Sequence, residues 1–279
     1  MEPAELRSVA ERLAAEAADF VRRRREEVFS DAPQRESTGS AVRAKSTPTD
    51  PVTIVDTETE RLVRDRLTQL RPGERVLGEE GGGGVVGADG RATWVVDPID
   101  GTVNFVYGLP AYAVSIAVQV DGHSRAGAVA DVVHGAVYSA AVGCGAHVRS
   151  DGVATQLHCS EVTDLSMSLV GTGFAYDSQL REHQAAVQAI LLPRVRDIRR
   201  FGSAALDLCL VAAGKLDAYY EANLNVWDWA AGALIASEAG ARLRLPPLNG
   251  SVGGDGMVVA AASGVADEFT EALTRAGAF

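Results

Sequence analysis

The stretch WVVDPIDGTVNF, residues 94–105, decides the interpretation of the chain around it. An apolar run ends at Asp97, Asp100 comes three positions later, and Gly101 and Thr102 follow at once. A short apolar run bounded by turn residues predicts a buried strand. Because a buried carboxylate without a partner is costly, a strand that ends in two of them indicates that a cation lies beside it.

The composition narrows the class of protein. The chain has 279 residues, 47% hydrophobic and 23% charged, which fits one large globular domain or two closely packed ones. The formal net charge is −11, and Lys45 and Lys215 are its two lysines. Since binding nucleic acid needs a basic face, we expect no nucleic acid as the main ligand. A site for cations suits this charge balance better.

The first residues and the cysteines lead us to expect neither a secretory signal nor a zinc site. The first residues, MEPAELRSVAERLAAEAADF, lack the basic and apolar segments of a secretory signal. No apolar run approaches the roughly 20 residues that cross a bilayer, so we expect a cytoplasmic protein without membrane contact. Cys144, Cys159 and Cys209 are odd in number and widely spaced, which disfavours a disulfide framework and a zinc site.

Periodicity and turn residues predict the first elements. Residues 5–28 have the apolar spacing of an amphipathic helix. Residues 31–51 are rich in Pro, Ser, Thr and Gly, which predicts a long mobile loop. Thr57 and Glu60 have the spacing of a capping box, which predicts a helix that ends near Pro72.

The rest of the chain divides into two kinds of pattern. Four β-like runs separated by turns lie between residues 112 and 148 and predict an antiparallel meander. Strand and helix patterns then alternate to the end of the chain. The expected fold class is therefore α/β (α+β), with an N-terminal α+β half at 1–150, a C-terminal α/β half at 151–279, and a cleft between them.

Acidic residues occur at four places where a strand ends or a helix begins, and together they indicate a metal site. Oxygen ligands without His or Cys suit a hard cation such as Mg²⁺. Taken singly, each acid has a plain alternative, a helix N-cap or a turn residue. Capping explains one residue at a time, whereas a shared site explains the set. These residues are Asp56, Glu79, Glu80, Asp97, Asp100 and Asp228.

The segments DPIDGTVNF and VWDWAAGALIASEAGA resemble the two signatures of the inositol monophosphatase family. AKSTPTDPVTIVD, LGEE and RRFGSAALDLCLVAAGKLDAYYE also resemble that family, in its order, and its bacterial SuhB branch most closely. The resemblance implies a layered αβαβα sandwich of the inositol monophosphatase and fructose-1,6-bisphosphatase type. It further implies a phosphoric monoester hydrolase that uses two or three Mg²⁺ ions on inositol-1-phosphate, and a lithium-sensitive homodimer.

The resemblance also assigns the metal ligands. Glu79, Asp97 and the carbonyl of Ile99 would hold a first metal that activates the attacking water. Asp97, Asp100 and Asp228 would hold a second metal beside the leaving oxygen. Glu79 would face a third, weaker one.

The proton acceptor and the substrate wall are assigned in the same way. Thr102, hydrogen-bonded to Asp56, would take the proton of the water, so Thr102, Asp56 and Glu79 are the expected catalytic residues. The residues expected against the substrate are Gly101, Thr102, Gly202, Ser203, Ala204, Glu221 and Asp228.

Several other functions remain open at this point. Histidinol phosphate, fructose-1,6-bisphosphate and a nucleotide 3′-phosphate could be hydrolysed by the same set of metals. The segments around Ser203 and Glu221 offer few cationic side chains for a bisphosphate or a nucleotide. A SuhB-like binding partner in RNA-related assemblies, with incidental catalysis, is an alternative of another class, although the complete carboxylate set favours an enzyme.

Overall fold

A computed structural model describes residues 2–29, 42–45, 51–83, 89–246 and 256–279. The α-helices in these ranges are α1 (Pro3–Phe29), α2 (Ile54–Leu70), α3 (Thr102–Tyr107), α4 (Ser178–Leu191), α5 (Ala204–Ala212), α6 (Val226–Glu238) and α7 (Ala266–Arg275). The strands are β1 (Val42–Ala44), β2 (Pro51–Thr53), β3 (Arg75–Gly78), β4 (Ala92–Asp100), β5 (Ala113–Val120), β6 (His123–Asp131), β7 (Val137–Ala141), β8 (Ala146–Ser150), β9 (Val153–Gln156), β10 (Leu169–Thr172), β11 (Asp197–Arg199), β12 (Ala218–Ala222), β13 (Arg242–Arg244) and β14 (Met257–Ala261).

Two large sheets organise the molecule. The first has seven strands in the order β3-β4-β5-β6-β7-β8-β9, parallel between β3 and β4 and antiparallel elsewhere. The predicted meander is therefore confirmed. The sequence missed its last strand, β9, because all four residues are exposed and no apolar alternation marks them.

The second sheet has five strands in the order β11-β10-β12-β14-β13. Its β11-β10-β12 part is parallel, and β14 pairs antiparallel with both β12 and β13. Helices α5 and α6 separate the two large sheets, and their buried side chains belong to one apolar core with residues of both. This mixed sheet with helical crossovers agrees with the alternating pattern predicted for the C-terminal half.

Three apolar cores lie between five layers, and the middle core includes α5 and α6 together with residues of both large sheets. Helices α1 and α2 pack on the outer face of the seven-stranded sheet. Helices α4 and α7 cover the outer face of the five-stranded sheet. The predicted αβαβα sandwich is thus confirmed. The sandwich also explains the apolar run of β4, because both faces of this strand are buried. Trp94 and Val96 belong to the core with α1 and α2, while Val95 belongs to the core with α5 and α6.

The predicted start of α2 is wrong. The helix begins at Ile54, one turn before the predicted position, because Thr53 is the N-cap and forms a capping box with Asp56. Glu60 instead is 2% exposed and accepts hydrogen bonds from the backbone of Glu80 and Gly81 at 2.7 and 2.9 Å.

The predicted loop at 31–51 is wrong for the residues that the structure describes there. Residues 42–44 pair antiparallel with residues 51–53 as β1 and β2. The rest of that prediction lies outside the described residues.

The division of the chain at residue 150 stays a prediction. The change from the first sheet to the second falls between Gln156 and Leu169. In the described part of the chain, none of the helices has the length and apolar character that a membrane span requires.

Candidate active site

A cavity of about 350 Å³ opens between the two large sheets. The end of β4, the first turn of α3, the start of α5, the end of β12 and the start of α6 all contribute to its wall. Two predicted site residues, Asp56 and Ser203, lie behind this wall. The other ten line the cavity: Glu79, Asp97, Ile99, Asp100, Gly101, Thr102, Gly202, Ala204, Glu221 and Asp228.

An irregularity in β4 brings two carboxylates to the same place. Asp97 and Asp100 are an odd number of positions apart, so a regular strand would direct them to opposite faces. The pairing with β5 shifts between them, since Asp97 lies opposite Ser115 and Asp100 opposite Ala113. Pro98, which has no N–H to donate to a neighbouring strand, lies within this shift. The backbone N–H of Ile99 donates to Asp97 Oδ1 at 3.0 Å and holds that carboxylate in place.

Asp97, Asp100 and Asp228 form a carboxylate cluster, with one oxygen of each within 4.8 Å of the others. Burial, followed by repulsion from Glu79, raises the pKa of Asp97 and of Asp228 well above the usual range. Burial also raises the pKa of Asp100, to about 6. Like charges at this distance need a counter-ion, so the cluster fits a hard divalent cation.

Two members of the carboxylate cluster are held by the starts of helices. Asp228 Oδ2 accepts a 2.6 Å hydrogen bond from the backbone N–H of Asn225 and closes the capping box of α6. Asp100 Oδ2 accepts from the Ser203 hydroxyl and, at 2.7 Å, from the Ala205 N–H in α5. The capping role of Asp228 is therefore real, and it orients the carboxylate toward its neighbours.

Glu79 lies at the edge of the carboxylate cluster. Besides burial, the pKa of Asp97 is raised by the Glu79 charge and by a hydrogen bond with the Glu79 side chain. Lys45 Nζ donates to Glu79 Oε1 at 2.7 Å and also to Glu80. The sequence did not assign a role to Lys45, although it is one of two lysines and lies in a segment that resembles the family.

Thr102 and Asp56 form the predicted pair. Thr102 Oγ1 lies 3.2 Å from Asp56 Oδ1 and 3.0 Å from the carbonyl oxygen of Ile99. Asp56 is fully buried, and its Oδ2 accepts hydrogen bonds from the backbone N–H, at 2.9 Å, and the hydroxyl of Thr53. Burial raises the Asp56 pKa to about 7 despite these bonds. The carboxylate thus has no direct access to the cavity and reaches it through the Thr102 hydroxyl.

Two glycines allow the halves of the chain to meet at the cavity. Gly101 has φ +92°, and a methyl group there would lie 2.9 Å from the carbonyl oxygens of both Ala111 and Gly202. Gly202 has φ +88°. The amide of Asn104 donates to the carbonyl oxygens of Ala111 and Phe201 at 2.7 Å each. Only a residue without a side chain fits this contact between α3 and the segment before α5.

Glu221 closes the opposite wall. The hydroxyl of Tyr219 donates to Glu221 Oε2 at 2.6 Å. Burial raises the Glu221 pKa to about 7, although that hydrogen bond opposes the shift. The carboxyl group occupies the space that a side chain at Gly173 would take. The Glu221 carboxylate is therefore a hydrogen-bond acceptor fixed in the cavity wall, rather than a solvent-exposed group at the end of a strand.

The family model described as "Inositol monophosphatase family" matches residues 2–277. The chain belongs to the inositol monophosphatase family. Its members are phosphoric monoester hydrolases that are generally metal-dependent, which agrees with the carboxylate cluster.

Individual relatives support this assignment. The "Inositol-1-monophosphatase" of Mycobacterium leprae is 65% identical over 277 residues, covering 98% of this chain and 95% of the relative. The solved structure "Mycobacterium tuberculosis SuhB" has a TM-score of 0.82 and 57% identity, over 99% of this chain and 98% of that one. A relative in Pasteurella multocida, named "Nus factor SuhB", is 39% identical over 192 residues, 68% of this chain and 70% of its own.

Several residues that line the cavity of this family member were not predicted from the sequence. Phe174, Tyr176 and Leu180 contribute an apolar and aromatic part of the wall. Arg200 lines the cavity as well, so the expectation that few cationic side chains lie near Ser203 is incomplete. The signal for Arg200 in the sequence is the pair of adjacent arginines, Arg199 and Arg200, shortly before Gly202. The sequence does not show which of the two faces the site.

The raised pKa values predict how the stability of this family member depends on pH. Carboxyls such as Asp56, Asp100 and Glu221 have folded-state pKa values of about 7, 6 and 7, against an unfolded value of about 4. Between about pH 4 and pH 7 the folded state therefore binds more protons than the unfolded state. The free energy of unfolding of the metal-free protein falls as the pH rises through this range.

Added Mg²⁺ should reverse this loss. At pH 7.5, Mg²⁺ at about 100 times its Kd adds about 2.7 kcal/mol to the free energy of unfolding, and at pH 5.5 it adds much less because the carboxyls are protonated. Thermal unfolding with EDTA, Mg²⁺ or K⁺ at equal ionic strength measures both effects. A Tm that does not change with pH and is insensitive to Mg²⁺ at pH 7.5 would contradict the cluster as a cation site.

Proposed function

We propose that the protein hydrolyses inositol-1-phosphate to inositol and phosphate with Mg²⁺ at the carboxylate cluster. The main support is that the carboxylate cluster lines the cavity and that the Thr102–Asp56 pair reaches the same cavity through Thr102. The name "Inositol-1-monophosphatase" of the Mycobacterium leprae relative, at 65% identity, supports the choice of substrate.

The residues proposed to hold Mg²⁺ supply oxygen atoms only. Glu79, Asp97 and the carbonyl of Ile99 would hold one ion, and Asp97, Asp100 and Asp228 a second, with Glu79 also facing a third. When bound, Mg²⁺ supplies polarisation of the phosphate oxygens and a more acidic water at neutral pH. Lys45 is bound to Glu79 in this structure, so its ammonium group and a cation compete for that carboxylate.

Thr102 and Asp56 are proposed to move the proton. The Thr102 hydroxyl accepts the proton of the attacking water and passes its own proton to Asp56 Oδ1, 3.2 Å away. A threonine hydroxyl is a weak base by itself, so Asp56 must be ionised for this transfer. Its raised pKa, about 7, makes Asp56 a stronger proton acceptor than an ordinary carboxylate.

The remaining lining residues are proposed to hold the substrate. Gly101 and Thr102 would contact the phosphate, because the backbone there can approach closely. The backbone of Gly202, Ser203 and Ala204 and the carboxylate of Glu221 would receive the hydroxyls of the polyol, with Asp228 at the leaving oxygen. A wall of hydrogen-bonding groups discriminates against a substrate that lacks the matching hydroxyls.

Phosphate release from four esters tests the proposal. The panel is inositol-1-phosphate, histidinol phosphate, fructose-1,6-bisphosphate and a nucleotide 3′-phosphate, each with EDTA, with Mg²⁺ and with Mg²⁺ plus Li⁺. We expect inositol-1-phosphate to be the best substrate, only with Mg²⁺, and Li⁺ to inhibit.

Other outcomes of the panel have definite meanings. Preference for another ester would keep the mechanism and replace the substrate. No release from any ester would favour a binding role, of the kind that the name "Nus factor SuhB" gives to the Pasteurella multocida relative. The homodimer and the cytoplasmic location remain predictions of the sequence.

A further inference from the structure

Glu60 is a buried carboxylate to which the proposed mechanism gives no role. It lies on α2, is 2% exposed and does not line the cavity. Burying a carboxylate costs free energy unless hydrogen bonds and an opposite charge compensate for it, and well-packed apolar residues often replace a buried ion pair without loss of stability. The groups that Glu60 contacts therefore indicate what its charge does. They lie in residues 78–82, a short segment that we call the Glu79 turn.

Glu60 fixes the backbone around Glu79. Its Oε2 accepts a hydrogen bond from the N–H of Glu80 at 2.7 Å, and its Oε1 accepts one from the N–H of Gly81 at 2.9 Å. The N–H of Glu79 itself donates to the carbonyl oxygen of Val96 in β4 at 3.2 Å. Three consecutive N–H groups thus have acceptors on neighbouring elements, and this restricts the direction of the Glu79 side chain.

Arg64 holds another part of the same turn. It lies one helical turn after Glu60, and its Nε donates to Glu60 Oε1 at 2.7 Å and supplies the opposite charge. Its Nη2 donates to the carbonyl oxygen of Gly82 at 2.5 Å. The N–H of Gly78 donates to that same carbonyl oxygen at 3.0 Å and closes the turn. Two side chains on one face of α2 therefore hold the second half of the Glu79 turn.

Two glycines of the turn show how closely the carboxylate approaches the backbone. A methyl group at Gly78 would collide with the Glu60 carboxyl group, and one at Gly81 would lie 2.6 Å from Glu60 Oε1. A side chain at either position would displace the carboxylate from the backbone N–H groups that it binds. The position of Glu60 therefore explains why both residues are glycine.

We propose that Glu60, held by Arg64, is a positioning residue that fixes the backbone at Glu79 and thereby sets the affinity of the Mg²⁺ site to which Glu79 contributes. This inference rests on the proposed function, which assigns Glu79 to the metal. Asp97 and Asp100 belong to β4, whereas Glu79 lies outside the helices and strands. If its turn were free, each metal-binding event would first have to order that turn, at a cost in conformational entropy.

A double-mutant cycle separates positioning from a general effect on the fold. Glu60→Gln keeps the size of the side chain but gives the two N–H groups one acceptor oxygen instead of two. The Kd for Mg²⁺ is measured by calorimetry for wild type, Glu60→Gln, Glu79→Gln and the double variant. The rise in Tm with added Mg²⁺ extends the comparison to weak binding. The matched control is Glu58→Gln, because Glu58 lies in the same helix and accepts a 2.8 Å hydrogen bond from Arg24 of α1.

We expect Glu60→Gln to raise the Kd for Mg²⁺ about ten- to a hundredfold, the usual loss when a group that orients a metal ligand is changed. In the Glu79→Gln background the same change should raise the Kd by less than about threefold, because the ligand that Glu60 positions is already absent. Glu58→Gln should leave the Kd unchanged. An unchanged Kd in Glu60→Gln, or an equal increase in both backgrounds, overturns the proposal, since a loss of stability or of one negative charge acts in both.

Arg64→Gln provides a second test, which does not depend on the folding of Glu60→Gln. The Arg64 side chain is partly exposed, so its replacement disturbs the core less. It removes the charge beside Glu60 and the bond to Gly82, and we expect it to raise the Kd for Mg²⁺ in the same direction. The Tm in EDTA reports the stability of each variant separately. A folded Arg64→Gln protein with the Kd of wild type would contradict the proposal.

The Kd values and phosphate release also separate this proposal from the proposed function. If wild type binds Mg²⁺ but hydrolyses no ester, the phosphatase proposal fails, while the Kd values still decide the role of Glu60. If wild type hydrolyses inositol-1-phosphate and Glu60→Gln binds Mg²⁺ as tightly as wild type, the phosphatase proposal stands and the positioning role fails.

Discussion

Asp97→Asn should lower kcat/KM for phosphate release on the order of a thousandfold, because it removes the charge that both proposed metal positions share. Asp97 is 1% exposed and belongs to the carboxylate cluster. Asparagine keeps the size and one oxygen, so packing is preserved. Steady-state kinetics at saturating Mg²⁺ and calorimetric titration with Mg²⁺ measure the losses of turnover and of metal affinity together.

The control for Asp97→Asn is Asp121→Asn. Asp121 occupies the turn between β5 and β6 with φ +52°, a conformation that asparagine adopts readily. It does not line the cavity and should leave turnover unchanged. Retention of full activity in Asp97→Asn would show that the cluster does not hold the catalytic metal.

Thr102→Val should lower kcat by about 10²- to 10⁴-fold, the usual contribution of a positioned proton acceptor. Valine keeps the shape of threonine but lacks the hydroxyl that lies 3.2 Å from Asp56. Thr102→Ser keeps the hydroxyl and should recover much of the rate. Stopped-flow and steady-state assays that compare kcat with KM measure the effect, since a change in KM alone would indicate substrate binding instead.

The control for Thr102→Val is Thr59→Val. Thr59 is also buried, and its hydroxyl donates to the Val55 carbonyl at 2.7 Å rather than to a carboxylate. Thr59→Val should cost about 1 kcal/mol of unfolding free energy with little change in kcat. Equal kcat values for the two valine variants would contradict the role of Thr102.

Local pattern was enough for most of the fold and for the identity of the acids. The apolar run of β4, the amphipathic pattern of α1 and the turns of the meander depend on neighbouring residues, so they can be recognised from the sequence. The order of elements then implied layered sheets and helices. Where two threonines could cap α2, local pattern chose Thr57 instead of Thr53, because Thr57 has a Glu three positions later whereas the capping box that forms is closed by Asp56.

The sequence by itself determined which side chains could bind a cation, since oxygen chemistry belongs to Asp and Glu wherever they lie. Only the tertiary structure decided that Asp97 and Asp100 meet Asp228, because this requires the shift in β4 and the packing of α6 between the two sheets. The same holds for Arg200, which faces the cavity while Arg199 does not. Distances between residues far apart in the chain are set by how the layers pack, and no local pattern of residues contains them.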